Sequence, residues 1–243
     1  VFVTGSTLGD LDDNSSTTGT SFLVKYNSSG TKQWIKQVAG SWYGSGVATD
    51  SSGNIYLMGS ASGSIDGQTY LGSGDLFVIK YNSAGTKQWT TMHGTTGNEY
   101  PSADWNGIAV DSSGNIFVSG LTMGAFSGFT NAGGRDIYVV KLNSSGTVQW
   151  TQQLGSSDWE AANNLVIDSS SNIYVMGYAG SGFDGNTGQG GTDAMLVKYN
   201  SSDSKQWSRL YGSTRSDVGR GIAIDNSSNL FVTGYTSDCI DNN

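Results

Sequence analysis

One phrase, repeated at a steady interval, limits what this chain can fold into. NIYLMG at 54–59 returns as NIFVSG at 115–120, NIYVMG at 172–177 and NLFVTG at 229–234, and the opening VFVTG is a fifth copy. The glycines that close them, Gly5, Gly59, Gly120, Gly177 and Gly234, are spaced by 54, 61, 57 and 57 residues. Two further phrases keep the same beat. One is SFLVKYNSSGTKQW at 21–34 with its copies at 75–89, 136–150 and 193–207; the other is GVATDSSGN at 46–54 with copies at 107–115, 164–172 and 221–229. Self-similarity at this period signals a repeat architecture before any single element is assigned.

Each repeat reads as four short strands: A (GIAVD), B (NIYVTG), C (DIYVVKYN) and D (TKQWTK). DSSGN-type turns join A to B and NSSG-type turns join C to D. Both are tight-hairpin chemistry, because Gly and Asn tolerate positive φ and Asp or Ser bonds the turn backbone. Tight hairpins require antiparallel pairing, which excludes a β-helix, and no 3.6-residue period supports a helical solenoid. Strands B and C are almost continuously apolar, as in Ile55-Tyr56-Leu57-Met58 and Leu76-Phe77-Val78-Ile79. A sheet with one wet face would alternate, so these strands are expected to be covered on both faces. Four-stranded antiparallel sheets stacked face to face around an axis meet that demand. The expected fold is therefore all-β, a β-propeller with about 57 residues per blade.

The phrases resemble the bacterial β-propeller repeat family called SBBP. They also resemble the tryptophan-docking repeats of quinoprotein-type propellers, in which a glycine turn precedes an outer-strand Trp. Gly30 with Trp34, Gly85 with Trp89 and Gly146 with Trp150 carry the likeness, and Asp203 replaces the glycine before Trp207. The resemblance implies that strand A is innermost. It carries no cofactor over, since no residues here match a cofactor site. On that strand order the 243 residues form a single propeller domain: a partial blade (1–38), three whole blades (39–92, 93–153 and 154–210) and a partial blade (211–243). The terminal pieces overlap in strand B. The expectation is a segment of a longer chain, or completion by neighbouring copies through unpaired edges.

Composition narrows the function. With 12 Lys+Arg against 20 Asp+Glu the net charge is −8, and no basic patch is visible to neutralise phosphates or an anionic membrane. No apolar run is long enough for a membrane span. The single cysteine, Cys239, has no partner within the sequence for a disulfide. Catalysis is not expected: there is one histidine, His93, read as a surface residue, and only two glutamates, Glu99 and Glu160. A polysaccharide-active enzyme using paired carboxylates such as Asp158 and Glu160 is the least favoured alternative.

The A–B and C–D turns share one face and are short and uniform. The B–C and D–A loops share the other and are read as long and varied, so recognition is placed there. Trp34, Trp89, Trp150 and Trp207 recur in register on strand D and are read as structural packing. Trp42, Trp105 and Trp159 fall at non-equivalent positions in D–A loops, beside Tyr43, Asp104 and Glu160, and these six are the candidate ligand-binding residues. The recurring Asp50, Asp111, Asp168 and Asp225, and Asp75, Asp136 and Asp193, are read as scaffold. Asp10, Asp12 and Asn14 have the 1-3-5 spacing of a calcium loop. Ser15 replaces its sharp-turn glycine and no bidentate Glu follows, so calcium is the only cofactor the sequence admits and a solvated loop is the favoured reading. Asn-x-Ser sequons, as at Asn27 and Asn143, coincide with good turn sequence.

The expectation is a non-catalytic, extracellular, cell-surface or periplasmic module for binding or structural assembly. Its partner would be a cell-surface glycan or protein, or further copies of itself through the partial blades. A carbohydrate-binding lectin and a subunit of a surface filament or layer are the named alternatives.

Overall fold

The computed structural model describes residues 1–11, 20–101, 106–180 and 182–238. It is all-β apart from one short 3-10 turn at Phe183–Gly185. Sheet I holds β1 (Phe2–Thr7), β2 (Thr20–Tyr26) and β3 (Lys32–Val38). Sheet II holds β4 (Ser41–Thr49), β5 (Ile55–Ala61), β6 (Asp75–Tyr81) and β7 (Lys87–His93). In sheet III the first strand comes in two pieces, β8 (Glu99–Pro101) and β9 (Ile108–Val110), both paired with β10 (Ile116–Thr122). β11 (Asp136–Leu142) and β12 (Val148–Leu154) follow. Sheet IV holds β13 (Ala161–Ile167), β14 (Ile173–Gly180), β15 (Thr192–Tyr199) and β16 (Lys205–Tyr211), and sheet V holds β17 (Asp217–Ile224) and β18 (Leu230–Thr236). Within each sheet, strands adjacent in sequence pair antiparallel in the order A-B-C-D. The stack of five sheets is open. His93, Leu154 and Tyr211 end their strands one residue past the boundaries drawn from sequence.

The continuous apolar strands are explained by the clusters between sheets. Ile55 and Leu57 of β5 pack toward sheet I with Leu23 and Val38. Tyr56 and Met58, on the other face of the same strand, pack toward sheet III with Ile116, Val118 and Tyr138. Phe117, Ile137 and Val139 then face sheet IV. Alternate residues of one strand thus feed two cores, which is why no polar alternation is visible. Each fully buried side chain of this size contributes about 1.5–3 kcal/mol. β4, β9, β13 and β17 contact one another in succession, while β3, β7, β12 and β16 are the most solvated strands. Strand A therefore lies innermost and strand D outermost.

Strand D carries a recurring aromatic ladder. Trp34, Trp89, Trp150 and Trp207 tilt against Phe2, Tyr56, Phe117 and Tyr174 of strand B at 6.0–6.3 Å between ring centroids. Lysines of strand C cover the same strand-B rings, as Lys80 does over Tyr56 at 5.2 Å. Trp89 also rests on the next sheet: its Nε1 donates to Ser144 O at 3.2 Å, and a Cβ at Gly146 would lie 2.7 Å from its ring. Asp203 adopts φ +73° where Gly30, Gly85 and Gly146 stand in the other C–D turns, which accounts for the departure from glycine in that repeat.

Candidate functional site at the D–A and B–C end

The two ends of the sheets are built differently. At the A–B and C–D end, side-chain acceptors hold solvated turns. Asp50 Oδ1 accepts from the N–H groups of Ser52 and Asn54 at 3.0 and 2.9 Å, and Asn82 Oδ1 does the same for Ala84 and Thr86 at 3.1 and 2.8 Å. The pattern recurs in every A–B turn through Asp111, Asp168 and Asp225. These hydrogen bonds hold the four carboxyls below the usual range; burial opposes them at Asp50, Asp111 and Asp168.

At the D–A end the acceptors are buried. Gly94-Thr95-Thr96-Gly97-Asn98-Glu99, Gly155-Ser156-Ser157-Asp158-Trp159-Glu160 and Gly212-Ser213-Thr214-Arg215-Ser216-Asp217 are one turn in three versions. In each, the last carboxylate folds back on the second residue. Thr95 donates through N and Oγ1 to Glu99 at 2.8 and 2.7 Å, Ser156 through N and Oγ to Glu160 at 2.8 and 2.6 Å, and Ser213 to Asp217 at 2.6 and 3.0 Å. A second buried carboxylate from the neighbouring sheet stands beside each: Asp75, Asp136 and Asp193 at the start of strand C. The turn glycine packs against the pair. A Cβ at Gly94 would sit 2.5 Å from the Asp75 carboxyl and 2.7 Å from Glu99 Oε2. Burial pushes Asp75 up, and burial with the charge of Asp75 beside it pushes Glu99 up. Glu160, next to Asp136, and Asp193, next to Asp217, rise for the same reasons. Asp217 goes the other way, because hydrogen bonds led by that from Ser213 outweigh its burial. Between sheets I and II a hydroxyl replaces the carboxylate: Ser41 Oγ donates to Val38 O and accepts from Ser21 N at 2.7 Å.

Glu160 is therefore not a ligand-facing residue. It is fully buried and its carboxylate is committed to Ser156, so it belongs to the repeated turn. Trp42 and Tyr43 are likewise not in a loop: only Ala39 and Gly40 separate β3 from β4, and both aromatics lie within β4. The register breaks between Ser41 and Tyr43, so Trp42 is the extra residue of a β-bulge, and its ring lies against Gly74. It is 42% exposed. Trp159, just before β13 and 58% exposed, rests on Gly134 under the guanidinium of Arg135, which lies 4.7 Å from the ring centroid. Trp105 and Asp104 fall outside the described residues, as do Asp12, Asn14 and Cys239; Asp10 is exposed ahead of them. Among the described residues, no group of three or more His, Cys, Asp or Glu is placed to hold a metal ion. His93 is not a surface residue. Its ring stacks on Phe126 at 4.9 Å between centroids, its Nε2 meets Thr151 Oγ1 at 2.8 Å, and burial lowers its pKa.

Above the buried carboxylates, a cavity of about 470 Å³ opens across sheets III, IV and V. Trp159 is on its wall; Trp42 is not. Other walls are Arg135, Asn163, Tyr178, Arg220 and Tyr235, with Arg220 lying 5.0 Å over the Tyr235 ring. Asn163 and Arg220 reach the rim because each is the extra residue of a strand-A bulge, between Ala162 and Asn164 and between Gly219 and Gly221. In sheet II the same position is Ser45. The sequence did carry a signal for Arg135: it stands in the repeat register occupied by Gly74 and Thr192 elsewhere, directly before the recurring Asp.

A model of the SBBP β-propeller repeat matches residues 33–66, 88–126, 149–184 and 206–238, over half of the sequence. The chain belongs to the SBBP β-propeller repeat family. Each match runs from strand D of one sheet into strand B of the next, so it spans the D–A turn described above. Among curated proteins, this SBBP chain is 26% identical over 200 residues to the regulatory protein FlaEY of Caulobacter vibrioides, covering 74% of the chain and 20% of FlaEY. It is 22% identical over 197 residues to the WD repeat-containing protein L264 of Acanthamoeba polyphaga mimivirus, covering 66% of the chain and 14% of L264. The chain thus spans a fifth or less of these relatives' length. Two solved structures share the fold. A protein from Bacteroides caccae superposes with a TM-score of 0.50 at 11% identity, covering 90% of this chain and 65% of its own. A PL25 ulvan lyase superposes with a TM-score of 0.51 at 13% identity, covering 94% and 60%.

Proposed function

We propose that this SBBP chain is a non-catalytic binding module of an extracellular or cell-surface protein, with recognition on the D–A and B–C end of the sheets. The observation that carries the reading is the cavity beneath Trp159. Its walls hold residues that differ from repeat to repeat, on a scaffold whose strand phrases and turns recur. Exposed aromatics beside amide and hydroxyl groups suit a saccharide, whose ring stacks on a π-face while its hydroxyls pair with polar side chains. A glycan is therefore the favoured partner class over a protein.

The test is a glycan screen with the purified chain, repeated with Trp159→Ala and with Trp42→Ala. The reading expects binding that Trp159→Ala abolishes and Trp42→Ala leaves within about twofold. Binding indifferent to Trp159→Ala would place recognition elsewhere.

A further inference from the structure

The carboxylate joint between sheets IV and V is supplied differently from the other two. Asp75 accepts from Leu71 N and Gly72 N. Asp136 accepts from Ala132 N at 3.1 Å and from the Gln153 amide at 2.8 Å. Leu210 stands at the Gln153 position in sheet IV, so among the described residues Asp193 is left with one donor, Gln189 N at 3.0 Å, on Oδ2. Its Oδ1 is buried without a hydrogen-bond partner, in a residue that is 0% exposed. Asp217, 1% exposed, faces it across Gly212: a Cβ on that glycine would overlap Asp193 Oδ1 and lie 2.8 Å from Asp217 Oδ2. The polar neighbours of Asp217 are otherwise Ser213, Thr236 and Ser237. The charged group facing Asp193 is Asp217 itself, and no cation faces either carboxyl. Arg209 of β16, on a cavity that Asp217 also lines, is turned to Ser208 O at 2.6 Å and to the Trp207 ring. Two adjacent buried anions without a cation are costly, and an acceptor without a donor adds to the cost.

We propose that Asp193 and Asp217 share one proton, carried on Asp193 Oδ1 and donated to Asp217, and that the joint of sheets IV and V loosens when that proton leaves for solvent. A proton there turns the orphaned acceptor into a donor aimed at a carboxylate, and it cuts the buried charge from two to one. The titration directions agree. Burial and the charge of Asp217 raise Asp193, while hydrogen bonds led by that from Ser213 outweigh burial at Asp217 and lower it. The contribution of Asp193 is therefore full below the unfolded carboxyl pKa and is lost as pH rises through its raised native value. Thr192 and Ser216, each directly before one member of the pair, and Val218, directly after Asp217, stand on the wall of the recognition cavity. A loosened joint thus reshapes that wall, and recognition weakens as pH rises. This consequence for recognition rests on the binding reading above; the shared proton does not.

Carboxyl ¹³C NMR of the whole chain between pH 3 and pH 8, read beside hydrogen exchange of the 212–218 segment, tests the pair without any ligand. Asp193 is expected to titrate above the ordinary carboxylate range and Asp217 below it. Protection of the segment, corrected for intrinsic exchange, is expected to drop about fivefold as pH passes the Asp193 midpoint. Asp193→Asn keeps an acceptor for Gln189 N and a donor for Asp217, and should hold that protection within about twofold across the range. Asp217→Asn should bring the Asp193 midpoint down, and it carries the test if Asp193→Asn does not fold. Two carboxyls titrating together in the ordinary range would overturn the shared proton. A protection step that persists in Asp193→Asn would overturn the loosening, because another group would then govern the joint. Neither result depends on the glycan screen, so a screen that fails removes the binding reading and leaves the pair to be decided here.

Discussion

The two ends of the sheets solve the same problem in opposite ways. Both must close turns whose backbone N–H groups would otherwise lack acceptors, and both use side-chain oxygens to do it. At the A–B and C–D end the acceptors, Asp50, Asn82 and their copies, are nearly identical in every repeat and, Asp111 apart, half-buried or exposed. At the D–A and B–C end the acceptors are buried carboxylates, and the residues above them change from sheet to sheet. Once the turn is held from beneath, its upper surface is released from structural duty. Trp159 stands in such a turn, with Arg135 just before β11 and Arg220 in the β17 bulge on the same cavity. A propeller repeat can thus vary its recognition surface without disturbing the hydrogen bonds that fix the loop.

The largest expected effect separates two tryptophans of opposite role. Trp89→Ala removes a ring packed on Tyr56 and Gly146 and is expected to cost about 3 kcal/mol, read as a lower denaturant midpoint with ligand affinity unchanged. Trp159→Ala is expected to stay within about 0.5 kcal/mol in the same measurement while removing binding. Next in size, Glu160→Ala removes a fully buried carboxylate from the half-buried Ser156 donors and is expected to cost about 2 kcal/mol. Asp50→Ala, at the opposite end, is expected to cost about 1 kcal/mol. Equal losses for Glu160→Ala and Asp50→Ala would break the comparison.

The smallest expected effect is in pH. Asp75, Glu99, Glu160 and Asp193 have carboxyls raised by burial, so the native state holds protons there that the unfolded chain has released. Their contribution is fully present below the unfolded carboxyl pKa and is lost as pH rises through the raised native values. Asp50, Asp111 and Asp168, with lowered carboxyls, do the reverse: their contribution is present above the unfolded pKa and fades as pH falls through their native values. Thermal melts of wild type and Glu99→Gln between pH 7 and pH 4 should therefore shift in favour of wild type as pH falls. A difference independent of pH would contradict the raised carboxyl at Glu99.

Much of this was legible before the structure. The recurring phrases define the strands and two of the turns, and the unbroken apolarity of Ile55–Met58 follows from a strand buried between two cores. The beginnings of strand A were not legible. Ser41-Trp42-Tyr43-Gly44-Ser45-Gly46 reads as a loop, because serine and glycine have little β-propensity, yet the segment pairs with β5 through two bulges. Glu160 was mistaken for a ligand group because its repeat equivalents are Glu99, Asp217 and the hydroxyl of Ser41, three residue types that hide a shared role. Arg135 and Arg220 were hidden differently. Each is visible as a break in the repeat, but only the fold brings residues 135 and 220 to one cavity.

The central claim, that recognition occupies the D–A and B–C end at this cavity, is most directly tested with the seven tryptophans as reporters. In a ¹⁵N-indole NMR titration with the tightest-binding glycan of the screen, the account predicts a large shift of the Trp159 resonance, assigned by Trp159→Phe. The resonances of Trp34, Trp89, Trp150 and Trp207, on the outer strands, should stay in place. Shifts confined to the outer-strand tryptophans, with Trp159 unmoved, would contradict it.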